Sequence, residues 1–350
     1  MVAATGRPDG AVDGNGPVSC LADGWRTARA ATGPAAVADC AEPVRPGQAS
    51  DGRAAAVRCR LGRGGAVCEG GVEVTVWICR TCGVEQADTT APPERCPICS
   101  DDRQYVGPGG QRWTCTDELV AEGHRGLFEP LEPGLTAVRV EPRVGIGQRG
   151  LLLRTSEGSL LWEPPGHLDR DMVARVRAGG GLTAVAASHP HLVGAAVSWA
   201  REFGVPFFFA EHDRRWLRRP DPLVRWWSGR AEPVPGLHLV QCGGHFPGSA
   251  VLHWAAGADG RGALLVGDTV MVDADLATVS FMRSYPNLIP LPERLVRQIA
   301  GRLGELRFDR IYGGFHGSVV DRGGAAAVRY SADRYIGWLR DEITDPDEVR

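Results

Sequence analysis

The sequence predicts an α/β protein, because apolar runs typical of buried strands alternate with amphipathic helix patterns from about residue 130 onward. Four of these apolar runs lead into a histidine pair, a single histidine or an aspartate, which places metal-binding side chains at strand ends. Upstream, two Cys-x-x-Cys pairs predict a small module of their own. The expected molecule therefore has a four-cysteine module followed by a large α/β domain.

The strand and helix patterns follow one another in a regular order. An alternating pattern at 72–77 predicts a strand that opens the four-cysteine module. In the large domain we predict strands at 135–140, 150–155, 158–163, 182–187, 205–209, 237–241, 250–254, 263–266 and 310–312. We predict helices at 169–178, 192–203, 211–217, 291–303 and 325–339.

The candidate metal ligands of the large domain lie in four short segments. The first is Ser188-His189-Pro190-His191, in which two imidazoles two residues apart can point into one cleft past a buried strand. The later segments are 244–249, 266–269 and 313–317, which contribute His245, Asp268 and His316. Imidazole nitrogens and a carboxylate oxygen are ligands that zinc prefers. A lone His-x-His predicts little, but four such elements in this order predict a metal site.

This order of residues resembles the metallo-β-lactamase superfamily, whose motif runs His-x-His-x-Asp-His and then His, Asp and His. The resemblance covers roughly residues 130 to 342. It implies an αβ/βα sandwich with metal at one edge and hydrolysis of an ester, thioester, amide or phosphodiester. It also implies that His189, His191 and His245 hold the first metal, that Asp268 is the bridging carboxylate and that His316 belongs to a second metal.

The chain departs from the motif directly after His191. The family pattern has Asp and His at the positions of Val193 and Gly194, and that pair belongs mainly to the second metal. We therefore expect a mononuclear zinc site, with Asp268 as a ligand or general base. His316 would then be a fifth ligand or a general acid near the leaving group.

The two cysteine pairs, Cys79-x-x-Cys82 and Cys96-x-x-Cys99, are separated by thirteen residues, which is typical of a tetrathiolate metal site. The stretch 91–99 resembles the rubredoxin-like module of rubrerythrins as well as generic zinc ribbons. The site would hold zinc or iron, and zinc is favoured because no flavin or di-iron motif accompanies it. Two hairpins with free thiols and no metal are the structural alternative.

The remaining segments complete the predicted domain organisation. Residues 1–72 are rich in Ala, Gly, Arg, Asp and Pro and are predicted to be disordered, with a further metal site on Cys20, Cys40, Cys59 and Cys68 as a weaker alternative. The four-cysteine module spans 73–103, a linker at 104–129 packs on the main domain through aromatic residues, and the metallo-β-lactamase-like domain spans 130–345.

The composition bounds the class of protein. The chain has 350 residues and a net charge of −3, which argues against a general nucleic-acid or membrane partner. All 39 basic residues are arginine, so lysine chemistry is excluded. No apolar run is long enough for a membrane span, and the N-terminus lacks the apolar core of a signal peptide. We expect a cytoplasmic protein and make no prediction of its oligomeric state.

Three functions fit these features. The first is a mononuclear metallo-hydrolase acting on a small ester or thioester. The second is a non-catalytic metal-binding sensor or interaction module, and the third is a redox protein with a rubredoxin-like centre. Arg283 and Tyr285 in the segment 279–287 are expected either to orient an anionic substrate or to pack over the edge of the site.

Overall fold

The structure, a computed structural model, describes residues 60–62, 65–67 and 73–347. The cysteines considered for a further site and most of the segment predicted to be disordered lie outside the described residues. Within that segment, Arg60–Gly62 (β1) and Gly65–Val67 (β2) form an antiparallel pair, where disorder was predicted. Strand β2 continues the sheet of the four-cysteine module, and backbone pairing of this kind does not depend on the apolar side chains that the composition lacks.

The four-cysteine module is built on one central strand. Glu73–Cys79 (β3) pairs with β2 near its start, with Glu85–Thr89 (β4) along its length and with Trp113–Thr114 (β5) at its end. The predicted linker at 104–129 is therefore structured: it contains β5, the helix Thr116–Ala121 (α1) and the start of Arg125–Glu132 (β6). Strand β5 could not be predicted from local sequence, because it is defined by pairing with β3, more than thirty residues earlier in the chain.

A seven-stranded sheet forms one half of the large domain. Its order is β12-β11-β10-β9-β8-β7-β6, antiparallel from β6 to β9 and parallel from β9 to β12. Besides β6, its strands are Leu135–Glu141 (β7), Gly150–Thr155 (β8), Gly158–Trp162 (β9), Ala184–Ala186 (β10), Phe207–Ala210 (β11) and Val224–Trp227 (β12).

A six-stranded sheet forms the other half, in the order β13-β14-β15-β16-β21-β22. Its strands are Arg230–Val234 (β13), Leu237–Gln241 (β14), Ala250–Trp254 (β15), Ala263–Leu265 (β16), Arg310–Tyr312 (β21) and Val319–Val320 (β22). Strands β16 and β21 are parallel, so both deliver their following loops to the same edge. Two small hairpins lie between them: Met271–Val272 (β17) with Val279–Ser280 (β18), and Met282–Ser284 (β19) with Ile289–Pro290 (β20).

Helices cover the outer faces of the sheets. They are Arg170–Ala178 (α2), Ala196–Phe203 (α3), the four-residue turn Gly257–Gly260 (α4), Glu293–Gly304 (α5) and Gly324–Leu339 (α6). Two 3₁₀ segments occupy Pro190–Leu192 and Glu211–Trp216. Asp169 caps α2 by accepting a hydrogen bond from the Met172 amide. Among the described residues, no helix is long and apolar enough to cross a membrane.

Three apolar clusters show how the layers stack. Alternating residues of β8 face opposite ways: Leu151 and Leu153 lie in a cluster with residues of β14, β15 and β16, which is the core between the two sheets. Leu152 lies instead in the cluster that contains α2, α3 and the four cysteines. The third cluster packs α5 and α6 on the outer face of the six-stranded sheet. The predicted αβ/βα sandwich, preceded by a four-cysteine cluster, is confirmed.

Candidate metal centre

The sheet edges bring the predicted ligands together. The loop after β10 carries His189 and His191, the loop between β14 and β15 carries His245, and the loop after β16 carries Asp268. Their ligand atoms all lie within 4.8 Å of one another, and all four residues are buried. The structure thus brings His189, His191, His245 and Asp268 together in one buried cluster.

The atoms that face one another define a ligand set. His189 Nε2 lies 3.4 Å from Asp268 Oδ2, and His245 Nε2 lies 3.8 Å from the same oxygen. His191 Nδ1 lies 3.1 Å from His245 Nε2. Three imidazole nitrogens and one carboxylate oxygen therefore converge on one point.

Groups behind the ligands fix the rings. His189 Nδ1 lies 2.8 Å from Ser188 Oγ, and that hydroxyl donates a short hydrogen bond to the carboxyl of Glu163. His245 Nδ1 lies 3.2 Å from the Met282 carbonyl oxygen and so donates to it. With both Nδ1 atoms engaged behind the rings, the Nε2 atoms of His189 and His245 are left to face the centre.

Burial favours the neutral form of two of the imidazoles, those of His191 and His245. It lowers the pKa of His245 to about 3, although the Asp268 carboxylate and the hydrogen bond to the Met282 carbonyl oxygen act in the opposite direction. It also lowers the pKa of His191 well below its ordinary value. Burial raises the pKa of Asp268, but the facing imidazoles of His189 and His245 outweigh it and hold that pKa below its ordinary value. Neutral imidazole and ionised carboxylate are the protonation states that bind metal.

The ligand set fits a zinc-like ion. His189 Nε2, which faces the centre, is a buried polar atom with no hydrogen-bond partner among the described residues, a costly arrangement unless a further group completes it. The three-nitrogen, one-oxygen set is of the kind that holds zinc.

The structure does not bring His316 into this cluster. Its side chain is 58% exposed, and its Nδ1 lies 3.4 Å from a carboxylate oxygen of Glu129. The fifth-ligand and general-acid roles considered for His316 therefore receive no geometric support and remain predictions.

The two positions that depart from the metallo-β-lactamase motif, Val193 and Gly194, are closely packed within the protein. Val193 is buried in the apolar cluster that contains α3. Gly194 has a φ of +51°, and a Cβ atom there would lie 2.1 Å from the Pro164 carbonyl oxygen. The helix predicted at 192–203 therefore starts only at Ala196, because the chain first makes a left-handed turn that the apolar stripe does not reveal.

Tyr285 and Arg283 pack at the edge of the site. The Tyr285 ring lies 5.7 Å from that of His245, and its hydroxyl donates to the Ser280 carbonyl oxygen. Arg283 forms a salt bridge with Asp102 at 2.8 Å. Of the two roles considered, these contacts favour packing.

The four cysteines form a second cluster. Their sulfur atoms lie within 4.8 Å of one another, with Cys79 and Cys99 at 3.6 Å and Cys82 and Cys96 at 3.8 Å. These separations exceed a disulfide bond, and they match the edge of about 3.8 Å of a tetrahedron with zinc–sulfur bonds of about 2.3 Å. Gln111 donates to Cys79 Sγ and accepts from the Cys96 amide, so it tightens the cluster.

Several residues around the site gave no signal in the sequence. Glu163 is fully buried at a φ of +54°, one of its oxygens has no partner among the described residues, and burial raises its pKa to about 8. Asp213 accepts a hydrogen bond from the Gly248 amide in the His245 loop. Glu163 is the last residue of a predicted strand and lies, like the metal ligands, at a strand end, and this position could have singled it out.

Comparisons with known proteins gave matches to solved structures only at low similarity. No protein-family model matches the chain. Among solved structures, VMB-1 matches with a TM-score of 0.48 at 13% identity, covering 61% of this chain and 98% of that one. The di-iron form of TTHA1623 matches with a TM-score of 0.39 at 22% identity, covering 52% and 93%. Likenesses of this size carry no argument about function, and the fold assignment stands on the topology described above.

A much closer likeness exists in sequence. The uncharacterized protein YmaE of Bacillus subtilis (strain 168) is 41% identical over 269 residues, which is 76% of this chain and 98% of that protein. Identity at this level across nearly the whole relative means that the two proteins share their fold and descent. The chain belongs to the family of YmaE.

Proposed function

We propose that the protein is a metal-dependent hydrolase with one zinc ion held by His189, His191, His245 and Asp268. The observation that carries the proposal is the convergence of three imidazole nitrogens and a carboxylate oxygen at a strand-end edge, where His189, His191 and Asp268 each have a buried polar atom without a partner among the described residues. When bound, a zinc ion polarises a carbonyl group and lowers the pKa of water toward about 7.

The chain itself supplies a base for the reaction. Asp268 directs Oδ2 toward the imidazoles, whereas its Oδ1 has no partner among the described residues. That free oxygen can accept a proton from water as the water oxygen attacks the carbonyl carbon. The bond to the leaving group then breaks, the proton on Asp268 passes to the departing alkoxide or thiolate, and the carboxylic acid and the alcohol or thiol are the products.

A single ion is supported by what stands at the second-metal positions. Val193 faces the apolar core, Gly194 has no side chain and no room for one, and His316 lies beside Glu129. Asp268 alone of the residues that match the second metal of the family lies in the cluster. One carboxylate is too few protein ligands for tight binding of a second ion.

The choice of an ester or thioester substrate follows from the leaving group. Alcohols and especially thiols leave more easily as anions than amines do, so their release depends less on a general acid. In the described part of the chain, the candidate acid His316 lies outside the cluster. We therefore propose a small ester or thioester rather than an amide.

The test is turnover of the metal-loaded protein on a panel of thioesters, esters, lactones, amides and phosphodiesters. Asp268→Asn should remove turnover and keep the metal, because the amide oxygen still binds but cannot take a proton. Asp273→Asn is the matched control, since Asp273 contacts Thr278 and Ser280 rather than the cluster. Fully loaded wild-type protein that turns over no member of the panel would refute the hydrolase.

One observation favours a second candidate, a non-catalytic metal-binding sensor or interaction module. Asp268, the most exposed of the four ligands, is only 6% exposed, and the three histidines are 2% exposed or less. A site this enclosed suits retention of an ion as well as reaction with a substrate. Absence of turnover together with slow exchange of the bound metal would support this second function.

A further inference from the structure

The four-cysteine module directly contacts the His245 loop through one buried side chain. Arg103 follows the last cysteine by four residues and donates from Nε to the His245 carbonyl oxygen at 2.8 Å. Its guanidinium carbon also lies 4.2 Å from the centre of the Phe246 ring, and its Nη1 pairs with Asp101 at 2.6 Å. The guanidinium group is thus held by three neighbours, one of which is the backbone of a metal ligand.

The same segment holds the hairpin behind His245. Ser284 Oγ donates to the Arg103 carbonyl oxygen at 3.0 Å. Asn287 Nδ2 donates to the carbonyl oxygens of Asp102 and Gln104 at 2.9 and 3.0 Å. This hairpin carries the Met282 carbonyl that accepts from His245 Nδ1. Residues 101–104 therefore hold His245 twice, directly at its backbone and through the hairpin at its ring.

The position of residues 101–104 depends on the cysteine cluster. The Ser100 amide donates to the Cys96 carbonyl oxygen, and the Gln104 amide donates to the Asp101 carbonyl oxygen, so the segment is a series of turns that grows from the second cysteine pair. Such a small module relies on bound metal for much of its folding energy. Loss of that metal would therefore release the turns, and with them both contacts to His245.

We propose that the four-cysteine module supports the zinc centre through Arg103, which is a positioning residue for His245. Through this residue, metal at the four cysteines strengthens metal binding at the histidine centre, which consists of His189, His191, His245 and Asp268. Coupling of this kind is reciprocal, so metal at the histidine centre also strengthens binding at the cysteines. The inference rests on the metal centre of the proposed function and is independent of hydrolysis.

The first experiment measures the affinity of the histidine centre for Zn²⁺ by competition with a chromophoric chelator. Arg103→Met keeps the length and apolar contact of the side chain but removes the donor. We expect affinity to fall by about tenfold, as for other groups that orient a metal ligand. Arg95→Met is the matched control, because Arg95 lies in the same module with a side chain 78% exposed and should leave the affinity unchanged.

A double-mutant cycle then tests the route of the coupling. Removing the metal of the four cysteines with Cys96→Ser and Cys99→Ser should weaken Zn²⁺ binding at the histidine centre in the wild-type background. The effect should be smaller once Arg103→Met is present, because only the contacts through the hairpin then remain. Titration with Co²⁺ reports the two sites separately, because only the thiolate site shows sulfur-to-metal charge transfer.

Each result of these measurements bears on the proposal. Arg103→Met with unchanged affinity at the histidine centre would overturn it even if the protein proves to be a hydrolase, and this variant does not depend on folding of the cysteine mutant. An undiminished effect of the cysteine mutations in the Arg103→Met background would overturn the assigned route. Wild-type protein that binds no metal at the histidine centre would overturn both this inference and the proposed function.

Discussion

Gly194 occupies the position at which the metallo-β-lactamase motif has its second-metal histidine. We predict that even a methyl group at this position destabilises the protein. The Cβ of Gly194→Ala would lie 2.1 Å from the Pro164 carbonyl oxygen and 2.9 Å from the Pro165 carbonyl carbon. Both contacts are with backbone, which cannot rotate away. The Gly194 carbonyl also accepts a hydrogen bond from the Glu85 amide, which restrains movement of the glycine itself.

The expected destabilisation has two parts. An L-residue in the left-handed region costs about 1–2 kcal/mol. Insertion of a methyl group into a closely packed site adds about 1–3 kcal/mol. The free energy of unfolding should therefore fall by about 2–5 kcal/mol. Alanine at Gly204 would have only the first cost, that of the left-handed backbone. The φ of Gly204 is +67°, but no atom lies within 4 Å of the Cβ that alanine would add.

The assay is urea unfolding of Gly194→Ala and Gly204→Ala, followed by circular dichroism. We expect Gly204→Ala to lose about 1 kcal/mol and Gly194→Ala to lose clearly more. In the same way, Val193→Asp with Gly194→His should destabilise the protein without adding a second metal. A Gly194→Ala variant no less stable than Gly204→Ala would refute the steric argument.

Three further predictions test other parts of the structure. Cys96→Ser should lose one metal equivalent. It should also lower the thermal midpoint of the whole chain, because the cysteines share an apolar cluster with the sandwich. An unfolding transition confined to the four-cysteine module would contradict this prediction. His316→Ala should leave the metal of the histidine centre bound, as equilibrium dialysis would show, and loss of that metal would place His316 among its ligands. Burial raises the pKa of Asp213 from 3.8 to about 6. Between these two pH values the folded protein keeps a proton that the unfolded chain loses. The free energy of unfolding should therefore fall by about 3 kcal/mol as the pH rises from below 3.8 to above 6. Asp213→Asn keeps the acceptor for Gly248 and should remove this part of the pH dependence of urea unfolding, whereas an unchanged pH profile would show that the carboxyl ionises normally.

The sequence predicted the parts of the site that depend on local pattern. A buried strand followed by a polar ligand is visible within ten residues, so His189, His191, His245 and Asp268 could be named before their convergence was seen. His316 fits the same local pattern, yet the structure leaves it outside the cluster. Its pairing with Glu129 joins residues far apart in the chain, and no local pattern reports it.

The contacts that tie the molecule together could not be predicted in this way. Arg103 reaches a carbonyl oxygen 142 residues further along the chain, and Glu85 binds the Val197 amide 112 residues away. Arginine and glutamate are ordinary surface residues in any sequence, and burial at an interface within the fold gives them their roles. The left-handed turn at Gly194 was missed because glycine permits that conformation without requiring it.

The most direct test of the account is the number of metal ions bound per chain, measured by elemental mass spectrometry on purified wild-type protein and on the Cys96→Ser, Cys99→Ser variant. We predict two ions in the wild type, one at the four cysteines and one at the histidine centre, and a single ion in the variant. Two tightly held ions in the variant would contradict the mononuclear centre. If the wild type holds one ion and the variant holds no ion, the four cysteines bind that ion, and His189, His191, His245 and Asp268 do not form a metal site.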